Sequence, residues 1–204
     1  MMSTEDRSAL AAAKSVSPAR RAMIESQLRT SGVNEPWVLA AMAEIAREDF
    51  VPETMRDAAY IDRAIALGNG RFLAAPLVQA KMLAEAEPTP ADKALLIGDG
   101  NGYLAALLRP MVGSLDALAP ADAAAMAGTG RYSLIVIDGA VEELPANVAA
   151  LLADDGRLVT GLIERGVSRL ATGRKAGGTV ALLPLAEIGI PALPEFAAPK
   201  RWSF

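Results

Sequence analysis

Neither cysteine nor histidine occurs among the 204 residues. Without cysteine there is no disulfide, thiol nucleophile or thiolate metal site, and without histidine the commonest general base and metal ligand are both missing. Hydrolase triads and zinc chemistry are thereby excluded. Aromatic residues make up 4% of the chain. The mean hydropathy of +0.26 comes largely from scattered alanine, and no apolar run approaches the roughly 18 residues of a membrane helix, so no membrane contact is expected. The acidic, polar start at residues 1–6, followed by an apolar stretch at 9–13 too short for a signal peptide, predicts a cytoplasmic location. A net charge of -4 with both signs interspersed offers no basic stripe for a phosphate backbone, so nucleic acid is not an expected partner.

The length suits one α/β unit with an N-terminal extension. Ser17 and Pro18 start a helix that stops at Gly32, and Asn34 and Pro36 start a second, striped by Val38, Leu39, Met42 and Ile45 and ended by Phe50, Val51 and Pro52. Residues 53–60 read as a short helical turn, 61–73 as an irregular loop around Gly68, Asn69 and Gly70, and Pro76 starts a further helix. From Ala94 short apolar bursts at 94–97, 114–118, 133–138 and 157–163 alternate with helical segments at 102–108, 121–127 and 145–152, the pattern of a parallel sheet covered on both faces. A strand at 180–185 is expected to pair antiparallel with the 168–172 region at the sheet edge, and the Ala/Pro-rich stretch 191–199 reads as loosely held.

Gly98, Asp99, Gly100, Asn101 and Gly102 stand between the first of these strands and a helix. Three alternating glycines there admit positive φ and bring bare backbone close to a bound nucleotide-like cofactor. The spacing is Gly-x-Gly-x-Gly, with Tyr103 where the dinucleotide fingerprint requires glycine, which favours S-adenosylmethionine over NAD. The alternative is a tight strand-to-helix turn with no ligand. Asp116 is placed to accept from ribose hydroxyls, or is a solvated loop aspartate. Asp99 either meets the cofactor's amino-acid part or simply forms the turn. Asp138, after the apolar run 134–137, faces the same cleft or caps the loop at Gly139.

Several further segments occur in one order along nearly the whole chain: Met23-Ile24-Glu25-Ser26-Gln27-Leu28-Arg29, Arg47-Glu48-Asp49-Phe50-Val51-Pro52, Ala59-Tyr60-Ile61-Asp62-Arg63, Ala80-Lys81-Met82-Leu83, residues 97–103 and Tyr132-Ser133-Leu134-Ile135-Val136-Ile137-Asp138. In their order and wording the chain resembles the protein-L-isoaspartate O-methyltransferases. The resemblance implies a class I S-adenosylmethionine-dependent methyltransferase fold, here a shortened Rossmann-like doubly wound sheet at 91–204, after an N-terminal helical extension and substrate-side loop at 1–90. It implies methyl transfer to the carboxylate of isoaspartyl residues in damaged protein. Gly98, Asp99, Gly100, Gly102, Asp116 and Asp138 would hold the cofactor, with Asp62 near the substrate. A carboxylate acceptor is ionised at neutral pH and needs positioning, not a base.

Three departures stand against that pattern. The family's Thr-x-Ser-x-Pro stretch reads Phe72-Leu73-Ala74-Ala75-Pro76, so both hydroxyl donors are gone. Loss of one such donor costs about 3 kcal/mol of transition-state stabilisation. The acidic residue expected before the glycine turn is Leu96, and no third strand fits between Asp116 and Tyr132. Two readings remain open: an isoaspartate-repair methyltransferase, or a non-catalytic relative that keeps the fold as a scaffold or binding module. Apolar surface uncovered by the missing strand is open to burial in a homodimer.

Overall fold

The computed structural model describes residues 16–199. Helix α1 (Pro18–Met23) starts where Ser17 Oγ accepts the Arg20 N–H at 3.2 Å and Pro18 supplies a preset φ. The helical path widens over Ile24–Leu28, tightens over Arg29–Ser31 and stops at Gly32, whose φ of +82° ends it in the left-handed region. Helix α2 (Pro36–Glu44) buries Val38, Leu39 and Met42. It does not run on to Phe50: Ile45 is extended, and Arg47–Phe50 forms a separate short turn. The reason is Arg47, which is fully buried; a continuous helix would carry it about 140° around from Met42, off the inward stripe.

Residues 65–73, expected as irregular loop, form a hairpin of β1 (Ile65–Gly68) and β2 (Arg71–Leu73). Gly68, Asn69 and Gly70 all have positive φ, the backbone that a tight hairpin turn demands. Helix α3 (Pro76–Ala86) follows.

The main sheet has six strands: β3 (Lys93–Ile97), β4 (Ser114–Leu118), β5 (Tyr132–Val141), β6 (Leu152–Glu164), β7 (Val167–Ala176) and β8 (Thr179–Glu187). Their order is β4-β3-β5-β6-β7-β8, parallel through β6 and antiparallel beyond it. Helices α4 (Tyr103–Leu108), α5 (Pro120–Ala125) and α6 (Ala146–Leu151) make the crossovers. Successive residues of a strand face opposite ways. Ala94, Leu96, Leu134 and Val136 therefore join the core under the N-terminal helices and α3, whereas Leu95, Ile97, Ile135 and Ile137 pack with Val148, Leu151 and Phe196 on the other face. No helix among the described residues is long and apolar enough to cross a membrane.

Beyond β8 the chain does not trail loosely. Ala140 N–H donates to Pro191 O at 2.8 Å and Leu193 N–H to Ala140 O at 2.9 Å, while Phe196 is buried and its carbonyl accepts from Glu142 N. The tail thus extends the sheet alongside the end of β5, because Phe196 and Leu193 have apolar surface to bury there.

At the opposite, amino end of the sheet, the buried Asp92 carboxylate takes Arg157 Nη2 at 2.6 Å, Ser133 Oγ at 2.7 Å and the Thr89 N–H at 2.8 Å. Burial alone would raise this carboxyl, but the bonds from Arg157, Ser133 and Thr89 outweigh it and hold it well below the usual carboxylate range. Asp92→Ala leaves the guanidinium without its countercharge, and urea unfolding at pH 7 is expected to show a loss of about 3 to 5 kcal/mol. The unfolded carboxyl titrates near 4, so this stabilisation is complete above about pH 4. It is lost as the pH falls from there through the lower folded value. A variant within 1 kcal/mol of wild type at pH 7 contradicts the assignment.

Candidate functional site

The chain leaves β3 for β4 on one side and returns to β5 on the other, which opens a crevice beyond the carboxyl ends of these strands. A groove of about 790 Å³ lies there, within the range of small-molecule sites. Its walls are the hairpin with residues 49–52, the glycine loop 98–102 with Ala117 and Ala119, and Asp138 with tail residues 191–195.

The glycine loop is fixed by its own bonds. Gly98 N–H donates to Leu118 O at 2.8 Å, Asp99 accepts from Asn101 N at Oδ1 and from Gly102 N at its carbonyl, both at 2.9 Å, and Arg109 Nη2 donates to Gly100 O. The expected left-handed backbone is absent: Gly98, Gly100 and Gly102 all keep ordinary φ. Close approach is what requires glycine. A Cβ on Gly98 would stand 2.9 Å from Asp138 Cβ, and one on Gly100 2.9 Å from Ala117 Cβ. Side chains of the neighbouring strands occupy that space.

Asp138 opens onto the groove on one side, while its Oδ1 is sealed and has no hydrogen-bond partner among the described residues. Burial pushes this carboxyl up to about 6, against the pull of Arg47, and Asp99 pushes it the same way as burial. Arg47 does not bond to it. Its guanidinium donates to Ala59 O at 2.7 Å, to Gln79 Oε1 and to Ala74 O, and lies 5.2 Å from the centre of the Tyr103 ring. Burial lowers Arg47 to about 10, so it stays charged at neutral pH. The Tyr103 hydroxyl is also buried without a partner, and its ring meets Phe50 edge-on at 5.4 Å. On the rim Arg71 Nη1 pairs with Asp99 Oδ2 at 3.2 Å, joining the hairpin to the glycine loop. This exposed pair contributes at most about 1 kcal/mol.

The structure brings Gly98, Asp99, Gly100, Gly102 and Asp138 together along the groove. It does not bring Asp116 there. Asp116 lies mid-strand in β4, opposite Leu95, and its carboxylate accepts the Tyr132 hydroxyl at 2.8 Å. The residue that reaches the groove just past the end of β4 is Ala119. Asp62 is exposed, outside the groove lining, and forms no ion pair with Arg56 or Arg63. Ala74 is buried with its carbonyl on Arg47, and Leu96 is buried in the core. Phe72, by contrast, is half-exposed on the groove wall.

Sequence reasoning passed over four contributors: Arg47, Tyr103, Ala119 and the tail at 191–195. The strand pairing that fixes Ala119 leaves no mark on the sequence, whereas the apolar Leu193 and Phe196 hinted that the tail packs. Gly100→Ala is expected to lower apo stability by about 1 to 3 kcal/mol through overpacking. Adding Ala117→Gly should restore most of that loss in a thermal melt. A single variant as stable as wild type contradicts the packing account.

Residues 19–119 match the family model described as "Protein-L-isoaspartate(D-aspartate) O-methyltransferase (PCMT)". The chain is 41% identical over 71 residues to protein-L-isoaspartate O-methyltransferase 1 of Rhodopseudomonas palustris and 40% over 72 residues to the enzyme of Picosynechococcus, 35% of this chain in each case. These matches span 29% and 32% of those relatives' own lengths. In three dimensions the chain resembles a Plasmodium falciparum protein assigned to the same methyltransferases, solved in complex with S-adenosyl-L-homocysteine. The TM-score is 0.69 at 18% identity, over 86% of this chain and 98% of that one. A second structure, a protein-L-isoaspartate O-methyltransferase, gives 0.68 at 16% identity over 87% and 67%. At such identities the likeness shows the fold, the class I methyltransferase α/β sheet. The stretch 19–119, about half of this chain, thus matches the protein-L-isoaspartate O-methyltransferase family model and is set on that fold.

Proposed function

We propose that the groove binds S-adenosylmethionine and that the chain carries out, at a reduced rate, methyl transfer to isoaspartyl carboxylates of protein or peptide substrates. The observation that carries this is the pairing of the glycine loop with Asp138, whose sealed Oδ1 has no partner among the described residues, in one groove at the strand carboxyl ends.

The groove fits the cofactor unevenly. At its methionine end Asp99 and Asp138 offer acceptors and negative charge to the ammonium and sulfonium groups. At the ribose end Ala117 and Ala119 offer neither. When bound, S-adenosylmethionine supplies an electrophilic methyl group. The chain's own residues would hold it: the loop 98–102 admits it close to the main chain, and Arg71 on Asp99 tightens the rim. An isoaspartyl carboxylate needs no base, only alignment. Asp49, Asp99, Asp138 and Glu195 all line the groove against one paired cation, Arg71, and oppose its approach. Phe72 and Ala74 supply no hydroxyl to orient it. Both features favour a slow reaction.

The second reading, a non-catalytic binding protein of the same fold, is favoured by Ala119. Installing the missing acceptor separates the two. Ala119→Glu is expected to tighten S-adenosylmethionine binding tenfold or more, since a hydrogen bond to a charged group contributes about 1.5 to 3 kcal/mol. Methyl transfer to an isoaspartyl peptide at subsaturating cofactor should rise with it. Binding that tightens with no transfer in either protein supports the second reading. No rise in melting temperature with millimolar cofactor removes both.

A further inference from the structure

Of the two acids beside the glycine loop's inner wall, Asp138 is the one whose charge is not already used. Asp99 is engaged by Arg71 and by the Asn101 N–H, whereas Asp138 accepts no hydrogen bond from any described residue. The Arg47 guanidinium acts on it through space, but donates to Ala59, Ala74 and Gln79 instead. A carboxylate kept half out of water with an unpaired oxygen is unfavourable on its own, and a cation delivered into the groove relieves that penalty where a neutral group of the same shape does not. The surroundings point the same way, since Asp49 and Glu195 add negative charge to the walls.

We infer that Asp138 makes this groove select the cationic sulfonium of S-adenosylmethionine over the neutral thioether of S-adenosylhomocysteine, so that the reaction product is released instead of retained. This rests on the adenosyl-binding reading given above. The two ligands differ only in one methyl group on sulfur and the positive charge it confers, so comparing them in wild type and in an Asp138 variant reads the electrostatic contribution of that one side chain.

The selection is also tied to pH. The charged groups that bear on Asp138 are Arg47, from the turn after α2, and Asp99, from the glycine loop; Asp49 and Glu195 share the groove from the N-terminal segment and the tail. Burial lifts the Asp138 carboxyl to about 6, so its charge is present at pH 7.5 and is largely gone at pH 5 in the free protein. Affinity for the sulfonium should therefore fall as the pH drops through that range, while affinity for the thioether should not.

Calorimetric titration of the full chain with each ligand, at pH 7.5 and pH 5, tests this in wild type and in Asp138→Asn, whose apo melting temperature is recorded to verify folding. The expected result at pH 7.5 is S-adenosylmethionine bound at least tenfold more tightly than S-adenosylhomocysteine. In D138N that preference should collapse to within threefold, through weaker binding of the sulfonium alone. Equal wild-type affinities, or a variant that weakens both ligands alike, overturn the selection and leave the adenosyl-binding reading standing. Binding of neither ligand overturns that reading and the selection with it. Should D138N fail to fold, the wild-type comparison across pH decides: a ratio that does not fall between pH 7.5 and 5 overturns the inference.

Discussion

Gly98 and Asp138 meet at the carboxyl ends of β3 and β5 with no room between them for a side chain on the glycine. That contact sets the rest. It draws the loop 98–102 down over the sheet, leaves the Asp138 carboxyl at the inner wall of the groove, and fixes the direction in which α4 departs. Parallel pairing of β3 with β5 from Ala94 to Ile97 brings the two strand ends level. The buried Arg47, reaching Ala59, Ala74 and Gln79, ties the N-terminal segments to α3 behind the same wall.

The groove that results is asymmetric in charge. Its inner end holds Asp138 and is partly sealed, and past β4 it is lined by Ala117, Ala119 and Pro120, with the tail turn that carries Glu195 packed against α5. The fold explains the shape and the position at the strand ends. The charge distribution follows from Asp138 at one end and Ala119 at the other. A ligand that carries its positive charge near its centre and an uncharged nucleoside at one end suits such a groove better than an anionic one.

The central strands were legible because parallel strands buried on both faces read as unbroken apolar bursts, as residues 94–97 and 134–137 do, whereas the edge strand at 114–118 carries Ser114 and Asp116 and is only partly covered. The helix starts were legible because Pro18, Pro36 and Pro76 sit at first-turn positions. The hairpin was not, since four- and three-residue strands carry too little alternation to outweigh the glycines between them. Asp116 shows a different limit. Its type was right for a ribose acceptor and its strand was found, but the partner register sets Leu118 beside Ile97, leaving Asp116 two residues short of the end. Asp62 was expected near the substrate by its match to the family's pattern, and the structure sets it on an exposed bend outside the groove lining. Asp138 was visible as a strand-end acid, whereas its unpaired oxygen depends on where Arg47 sends its N–H groups, and no local pattern encodes that.

The most direct test of a groove built for a central positive charge is a crystal structure with sinefungin, the unreactive analogue that carries an amine in place of the sulfonium methyl. The account predicts the nucleoside lying along residues 98–102, with the amine about 3 Å from an Asp138 carboxylate oxygen. An analogue bound elsewhere, or a groove closed by Leu193 and Pro194 with the amine turned to solvent, would contradict it.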